Sequence, residues 1–419
     1  MDRIARRCAA AALFLLSACR PDAPPPSQQL YEERVAEAIP RIEKAVGVPF
    51  KTPPKFAIRT RAQVRDFLVA QLDDSAAQRD LTGKEAAYKA LGLIPDTMNV
   101  RQMYLDVLTE QIIGFYDPKT KVLYLMNGAP DDVVSPTIMH ELVHALQDQY
   151  FNLDSLQHQQ GNDDRLAAAQ AVIEGEAVYE QMESTVGGSG NVAARLPGGR
   201  DRLRDLVRES QMTPRFSAAP MVVQEEMLFP YFNGADFIAR FKAHEPGKLP
   251  FRDMPQSTEQ LMHDRAYFAM PRDAPMSITL PKIPGAIYEN TFGEFGTRLF
   301  LFAHLRDQEL ASRAAIGWGG DRYVVVRTPS GTGVAWVLAW DSAIDAAEFV
   351  DALGQATQQR LHNGNPTIGG DGVRTYSGRG RTVVVTPREI SGKNVVLVVD
   401  VPSGMSPRLL DISRVTIGS

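Results

Sequence analysis

Apolar residues recur with a helical period through most of the chain and with a strand period towards its end. Helical spacing covers the segments 30–45, 62–72, 84–91, 100–110, 165–183, 202–209, 222–228, 234–243, 258–263, 292–305 and 343–361. Strand patterns cover 55–60, 112–116, 121–126, 322–327, 334–340, 381–386 and 395–401. Because helices and strands fall largely in separate runs, the pattern predicts an α+β fold.

Changes in composition divide the chain into units. Residues 30–185 are predicted to form an upper lobe of mixed elements, residues 186–310 a mainly helical lower lobe, and residues 311–419 a small C-terminal α+β domain. Glycines at 187–190 and Pro-Gly-Gly at 197–199 mark a flexible connection between the lobes. A cleft between two lobes is a usual place for a binding site.

The most informative segment is His-Glu-Leu-Val-His, which begins at His140 and ends at His144. It lies in a run that is apolar on nearly all sides, which predicts a buried helix, and Ser135-Pro136 predicts its start. Residues four apart share a helix face, so both imidazoles could bind one zinc ion while Glu141 takes a proton from a zinc-bound water. The alternative is a set of core side chains with separate hydrogen-bond partners.

A catalytic zinc needs a third protein ligand. The next predicted helix, 165–183, offers Glu174, Glu176 and Glu180. The neighbours of Glu174 on its helix face are the smaller ones, and Gly175 lies beside it, so this face could approach the motif helix closely. We therefore predict Glu174 rather than Glu176 as the third ligand. The alternative for either residue is an ordinary helix carboxylate in solvent.

These residues resemble the gluzincin branch of the zincin metallopeptidases, in which a glutamate on the second active-site helix is the third zinc ligand. More narrowly, the chain is similar to a group of bacterial secreted or lipid-anchored zincin-like proteins, with the specific motifs at about residues 110–180. The resemblance implies a two-lobed zincin core, a Zn²⁺ cofactor bound by His140, His144 and Glu174, and Glu141 as the base.

The chain departs from this family at one position. Several gluzincins carry an aspartate four residues after the glutamate ligand, where it supports a ligating histidine, and Val178 occupies that position here. The supporting residue must come from elsewhere, and Asp148 and Glu176 are the candidates. The two strands at 112–126 precede the motif, and in zincins such an edge strand pairs with an extended substrate. A plain core hairpin is the alternative.

Peptide hydrolysis develops negative charge on the carbonyl oxygen, and a second donor usually assists the metal in stabilising it. The resemblance places such a donor well downstream of the ligands. His263, Tyr231 and Tyr288 are the candidates, with His263 and Tyr231 preferred. Ordinary packing or surface exposure is the alternative for each.

The N-terminus predicts export and lipid anchoring. Residues 1–18 have a basic start and a short apolar stretch, which is typical of a signal peptide, and Leu16-Ser17-Ala18-Cys19 matches a lipoprotein cleavage site. Cys19 would carry the lipid, and the Pro-rich segment 19–29 would act as a tether. Arg20, where an aspartate would favour retention in the inner membrane, indicates the periplasmic side of the outer membrane.

Charge and cysteine content exclude some classes of protein. The net charge is −5 with acidic and basic residues interspersed, so no basic surface for nucleic acid is predicted. The two cysteines are Cys8 in the signal segment and Cys19, so the mature domain is predicted to fold without a disulfide. The sequence specifies no oligomeric state.

Three functions fit these observations. The first is a zinc-dependent endopeptidase of the bacterial envelope, acting on a peptide or protein substrate. The second is a catalytically inactive zincin-fold lipoprotein that binds envelope partners as a scaffold, which the missing aspartate at Val178 favours and the intact Glu141 disfavours. The third is a zinc amidase that hydrolyses a non-protein amide, such as a cell-wall crosslink.

Overall fold

The computed structural model describes residues 28–158, 161–186, 208, 212–362 and 364–418. The predicted signal peptide, Cys19, the Gly-rich connection and most of the helix at 202–209 lie outside these residues. So does the predicted tether at 19–29, except for its last two residues, Gln28 and Gln29, which are helical. The helices of the described chain include α1 (Gln28–Val46), α2 (Arg61–Leu72), α3 (Ser75–Ala90), α4 (Val100–Gln111), α5 (Asp131–Tyr150), α6 (Asp163–Val186), α7 (Pro214–Ala218), α8 (Met221–His244), α9 (Thr258–Met262), α10 (Asp264–Phe268), α11 (Gly293–Leu305), α12 (Gln308–Arg313) and α13 (Ala343–Leu361).

The strands confirm the predicted α+β class. They are β1 (Lys55–Arg59), β2 (Gly114–Asp117), β3 (Val122–Met126), β4 (Ser277–Thr279), β5 (Ala286–Asn290), β6 (Trp318–Thr328), β7 (Gly331–Trp340), β8 (Thr367–Ile368), β9 (Arg374–Gly378), β10 (Arg381–Ile390), β11 (Lys393–Pro402) and β12 (Thr416–Gly418). They form a three-stranded sheet in the order β1-β3-β2, a seven-stranded sheet in the order β5-β6-β7-β11-β10-β9-β8, and the pair β12-β4.

The small sheet lies beside α5. The predicted hairpin is confirmed, because β2 and β3 pair antiparallel with Gly114 opposite Leu125 and Asp117 opposite Val122. β1 adds to β3 in parallel. β2 is therefore an edge strand of this sheet, yet all four of its residues are buried, since the strand packs against α5.

Helix α5 begins earlier than the sequence pattern indicated. The predicted start at Ser135-Pro136 is wrong, since the helix begins at Asp131 and encloses Pro136. Asp131 and Asp132 occupy its first turn, where carboxylates interact favourably with the positive end of the helix dipole. The other active helix was predicted at 165–183 and spans Asp163–Val186.

Helix α8 is continuous where the sequence predicted two helices separated by a turn. The Pro-Tyr-Phe-Asn-Gly segment, 230–234, lies inside it, with Pro230 within the helix. At Gly234 the backbone of α8 meets the backbone of α6, because an added Cβ there would lie only 2.0 Å from the carbonyl oxygen of Ala171. Residues 230–234 alone favour a turn, but in the folded chain they are helical and pack against α6.

The C-terminal sheet is larger than predicted. The four predicted strands form two hairpins, β6–β7 and β10–β11, which lie side by side through β7 and β11, and α13 packs on the sheet. β5, β8 and β9 were not predicted, and β5 precedes residue 311, the expected start of this unit. The three tryptophans, Trp318, Trp336 and Trp340, are buried core residues, as expected.

One hydrophobic cluster runs through all three predicted units. It includes Val64 and Leu68 near the N-terminus, Phe237 and Phe241 in α8, and Trp336 in the C-terminal sheet. The three units therefore share a core. Among the described residues, no helix combines the length and the apolar character needed to cross a membrane.

Candidate metal centre

Helices α5 and α6 bring two histidines and a glutamate together. His140 and His144 lie one turn apart on α5, and Glu174 faces them from α6. The Nε2 atoms of the two histidines are 3.2 Å apart, and Glu174 Oε2 lies 3.3 Å from each of them. All three residues are buried, with Glu174 the most exposed at 8%.

This triangle has the dimensions of one face of a tetrahedral metal site. Ligands at about 2.0–2.1 Å from a tetrahedral ion lie about 3.3–3.4 Å from one another. The measured edges of 3.2 and 3.3 Å agree with that spacing without any side-chain movement. Two imidazole nitrogens and one carboxylate oxygen are also the donor set typical of a catalytic zinc site that leaves a fourth position open.

Both histidines turn their other ring nitrogen towards a glutamine. His144 Nδ1 lies 2.9 Å from Gln147 Oε1, and His140 Nδ1 lies 3.3 Å from Gln181 Oε1. An amide oxygen is an acceptor, so each Nδ1 carries the proton and each Nε2 presents a lone pair to the triad. Three acceptor atoms then face one another, an arrangement that is stable only with a proton or a cation between them.

The pKa values of the triad residues also indicate that a positive charge between them is favoured. Burial disfavours the charged form of His144, but Glu174 outweighs burial and raises the pKa of His144 to about 9. Burial likewise opposes ionisation of Glu174, yet His144 and His140 lower the pKa of this carboxyl to about 2. Burial lowers the pKa of His140. The carboxylate is thus ionised and ready to bind a cation.

Gln147 is a supporting residue that sequence reasoning missed. Its Nε2 donates to Glu176 Oε2 at 2.8 Å and to the carbonyl of Ile173, which fixes its Oε1 towards His144. Glu176 therefore supports His144 indirectly, through Gln147. The other predicted candidate, Asp148, instead accepts from the Tyr116 hydroxyl and pairs with Lys121. The position of Gln147, one helical turn after His144, was the available signal.

Glu141 lies beside the triad in a fully buried position. Its Oε2 accepts a hydrogen bond of 2.7 Å from the backbone N–H of Tyr116 in β2, and in the described part of the chain its Oε1 is buried without a hydrogen-bond partner. Burial raises the pKa of Glu141 to about 8, and the charge of Glu174 adds to this effect. One oxygen is therefore anchored while the other remains available to accept a proton.

Glu174, as predicted, is the α6 glutamate that lies against the two histidines, but Gly175 does not contribute in the expected way. Gly175 faces α8, where an added Cβ would lie 2.1 Å from the carbonyl carbon of Gly234. It therefore permits the approach of α6 to α8, not to α5. Glu176 is bonded to Gln147, and Glu180 pairs with Lys242, so neither joins the histidines.

The predicted charge-stabilising residues lie in three different places. Tyr231 lies near the triad, with its ring centroid 6.4 Å from that of His140. His263 contacts Glu294, with 2.8 Å between Nε2 and Oε1, and the described contacts do not link it to the triad, so its role stays a prediction. Tyr288 donates to Asp80.

Comparison with known proteins concerns the C-terminal part of the chain. A family model described as a domain of unknown function, DUF8575, matches residues 281–408. No curated protein and no solved structure matches the chain. The matched segment includes all strands of the seven-stranded sheet and excludes the triad, so the chemistry of the triad is the basis for a functional conclusion.

Proposed function

We propose that this protein is a zinc-dependent hydrolase of peptide bonds, with His140, His144 and Glu174 as the metal ligands. The observation that carries the proposal is the triangle of ligand atoms together with the adjacent buried carboxylate of Glu141. A purely structural zinc site is usually closed by four protein ligands. Here three ligands meet, and the nearby acid has an oxygen without a hydrogen bond.

A bound zinc ion would lower the pKa of a water molecule and polarise the carbonyl of the scissile bond. Glu141 accepts the proton from the attacking water and delivers it to the leaving amine. The buried position of Glu141 beside the triad suits this exchange, since its Oε1 has no hydrogen-bond partner among the described residues. The hydrogen bond from Tyr116 holds the carboxylate in place during both transfers.

Substrate reaches the triad from the side of Glu174 in this proposal. The side chain of Glu174 is 10% exposed, whereas that of His140 is fully buried. The expected pairing of a substrate strand with the edge of β2 has little support, because β2 is buried. The N–H of Tyr116 already donates to Glu141, and Gly114 packs against Thr137. Tyr231 lies near His140 and is the nearer candidate for stabilising negative charge.

We also propose that the protein acts in the cell envelope, attached through a lipid on Cys19. This proposal rests on the order of basic, apolar and small residues before Cys19 in the sequence. The substrate would then be a peptide or protein segment present in the periplasm.

The decisive experiment compares the purified chain with its Glu141→Gln variant. We expect both to bind one zinc ion, measured by elemental analysis, because Glu141 is not a ligand. We expect the variant to lose cleavage of a quenched-fluorescence peptide library by at least about 10²-fold, the usual contribution of a general base. Glu37→Gln, an exposed helix position, is the matched control and should cleave normally.

Other outcomes would change the conclusion. Equal cleavage by Glu141→Gln and wild type would refute the proposed mechanism. Retention of zinc by a His140→Ala or Glu174→Ala variant would refute the ligand set. A zinc-loaded wild type that cleaves no peptide but digests cell-wall muropeptides would indicate an amidase, and one that digests neither would indicate a scaffold.

A further inference from the structure

A second group of acidic side chains lies at the junction of the helical part and the C-terminal sheet. Its members are Glu259 on α9, Asp273 in the segment after α10, and Asp341 directly after β7. One carboxylate oxygen from each lies within 4.8 Å of the other two. Asp164 and Glu294 add further negative charge around Glu259.

The position of Glu259 is the unusual feature of this group. Glu259 is only 5% exposed, and its Oε2 is buried without a hydrogen-bond partner among the described residues. Burial, with the charges of Glu294 and Asp273, raises the pKa of Glu259 to about 10, so its ionised form is strongly disfavoured unless a cation is bound. Here the unpartnered carboxylate also lies against two further acids, so a positive charge is missing from its surroundings.

The nearby basic residues do not supply that charge. Arg272, next to Asp273 in the chain, pairs with Asp253 on the other side of α10. Lys393 acts on Asp341 but forms no ion pair with it in the described part of the chain. Two neighbouring polar residues have other partners: Thr258 donates to Asp164, and His263 contacts Glu294.

The backbone fixes the three carboxylates relative to one another. The N–H of Asp273 donates to the carbonyl of Ala266, and its own carbonyl accepts from Gln260 Nε2 at 2.6 Å. The N–H of Asp341 donates to Gly317 at 2.9 Å. These bonds fix the backbone positions from which the two aspartate side chains approach Glu259.

We propose that Glu259, Asp273 and Asp341 bind a calcium ion that links the helical part of the chain to the C-terminal sheet. The donors are all carboxylate oxygens, the hard ligands that calcium prefers. Calcium binds oxygen at about 2.3–2.6 Å, so two ligands of one ion lie no more than about 4.6–5.2 Å apart, and oxygens that all lie within 4.8 Å of one another meet this condition. The two aspartates are exposed, which leaves room for water to complete the coordination.

The test measures calcium binding and thermal unfolding of the full chain, kept in zinc-containing buffer freed of other divalent ions. We expect one calcium ion per chain by equilibrium dialysis, a dissociation constant of about 10⁻⁴–10⁻³ M as in extracellular calcium modules, and a rise in the melting temperature on calcium addition. The double variant Asp273→Asn, Asp341→Asn should bind at least about tenfold more weakly. Asp66→Asn, Asp96→Asn, a pair of exposed positions, is the charge-matched control.

The Glu259→Gln variant distinguishes a loss of calcium binding from a loss of folding stability. It removes the buried charge, so we expect this variant to be no less stable than wild type without calcium, yet to show no stabilisation when calcium is added. His140→Ala should keep the full calcium response, because the triad is a separate site. Absence of bound calcium in wild type, an unchanged response in the Asp273→Asn, Asp341→Asn variant, or an equal response to magnesium would overturn the assignment.

Discussion

The backbones of α6 and α8 are in contact at Gly234, which makes Gly234→Ala an informative substitution. The new Cβ would lie 2.0 Å from the carbonyl oxygen of Ala171 and 2.9 Å from the Cα of Gly175. Real Cβ atoms essentially never come closer than 3.0 Å to another heavy atom, so α6 and α8 would have to separate by about 1 Å. Both contacting groups belong to the backbone, which prevents relief by a side-chain rotation.

The free energy of unfolding should fall accordingly. Overpacking costs about 1–3 kcal/mol and more where backbone must move, while alanine gains up to about 1 kcal/mol over glycine in helix propensity. We expect a net loss of about 2 kcal/mol in urea denaturation. Because Ala171 and Gly175 flank Glu174 on α6, the displacement should also weaken zinc binding, measured by competition with a chromophoric chelator.

Gly296→Ala in α11 is the matched control. It is also a helical glycine, but its added Cβ would meet only side-chain atoms of Phe292, the nearest at 3.0 Å. We expect this variant to lie near wild type in stability and to bind zinc normally. Equal denaturation midpoints and zinc affinities for the two variants would refute the argument that the contact at Gly234 sets the position of α6.

Two further predictions test the surroundings of the two sites. Gln147→Ala should reduce zinc affinity by about 10–100-fold, because His144 loses the amide that orients its ring; unchanged affinity by chelator competition would show that this contact does not orient the ligand. Asp164→Asn should flatten the pH dependence of stability in calcium-free buffer. Burial raises the pKa of Asp164 to about 7, with Asp321 and Glu294 adding to it. The folded chain therefore holds a proton that the unfolded chain releases near pH 4, so wild-type stability falls as pH rises from about 4 to about 7. Denaturation at stepped pH values measures this, and identical profiles for the two proteins would contradict it.

The local elements of the site were readable from the sequence. The spacing of His140 and His144 places them on one face of a helix whatever its surroundings, because helical geometry repeats every 3.6 residues. The apolar residues around them likewise predicted a buried helix, and the second helix with its three glutamates was evident from periodicity. Strand patterns predicted the four strands that form the two hairpins of the C-terminal sheet for the same local reason.

Other features required the packed chain. The sequence did not predict that α8 continues through Pro230, because residues 230–234 alone favour a turn. In the folded chain α8 packs on α6 at Gly234. The acidic group at Glu259 joins segments more than 80 residues apart. Short strands such as β5 also escaped prediction, because their few residues show no alternation of their own.

The sequence by itself determined the two imidazoles, the neighbouring acid and the helices that carry them, since these depend on the geometry of a single helix. Only the tertiary structure decided which glutamate faces the histidines, that Gln147 and Gln181 orient their rings, and that β2 is buried against α5. The physical reason is that these contacts join residues distant in the chain. Their positions depend on how closely the helices and strands pack, which local periodicity does not specify.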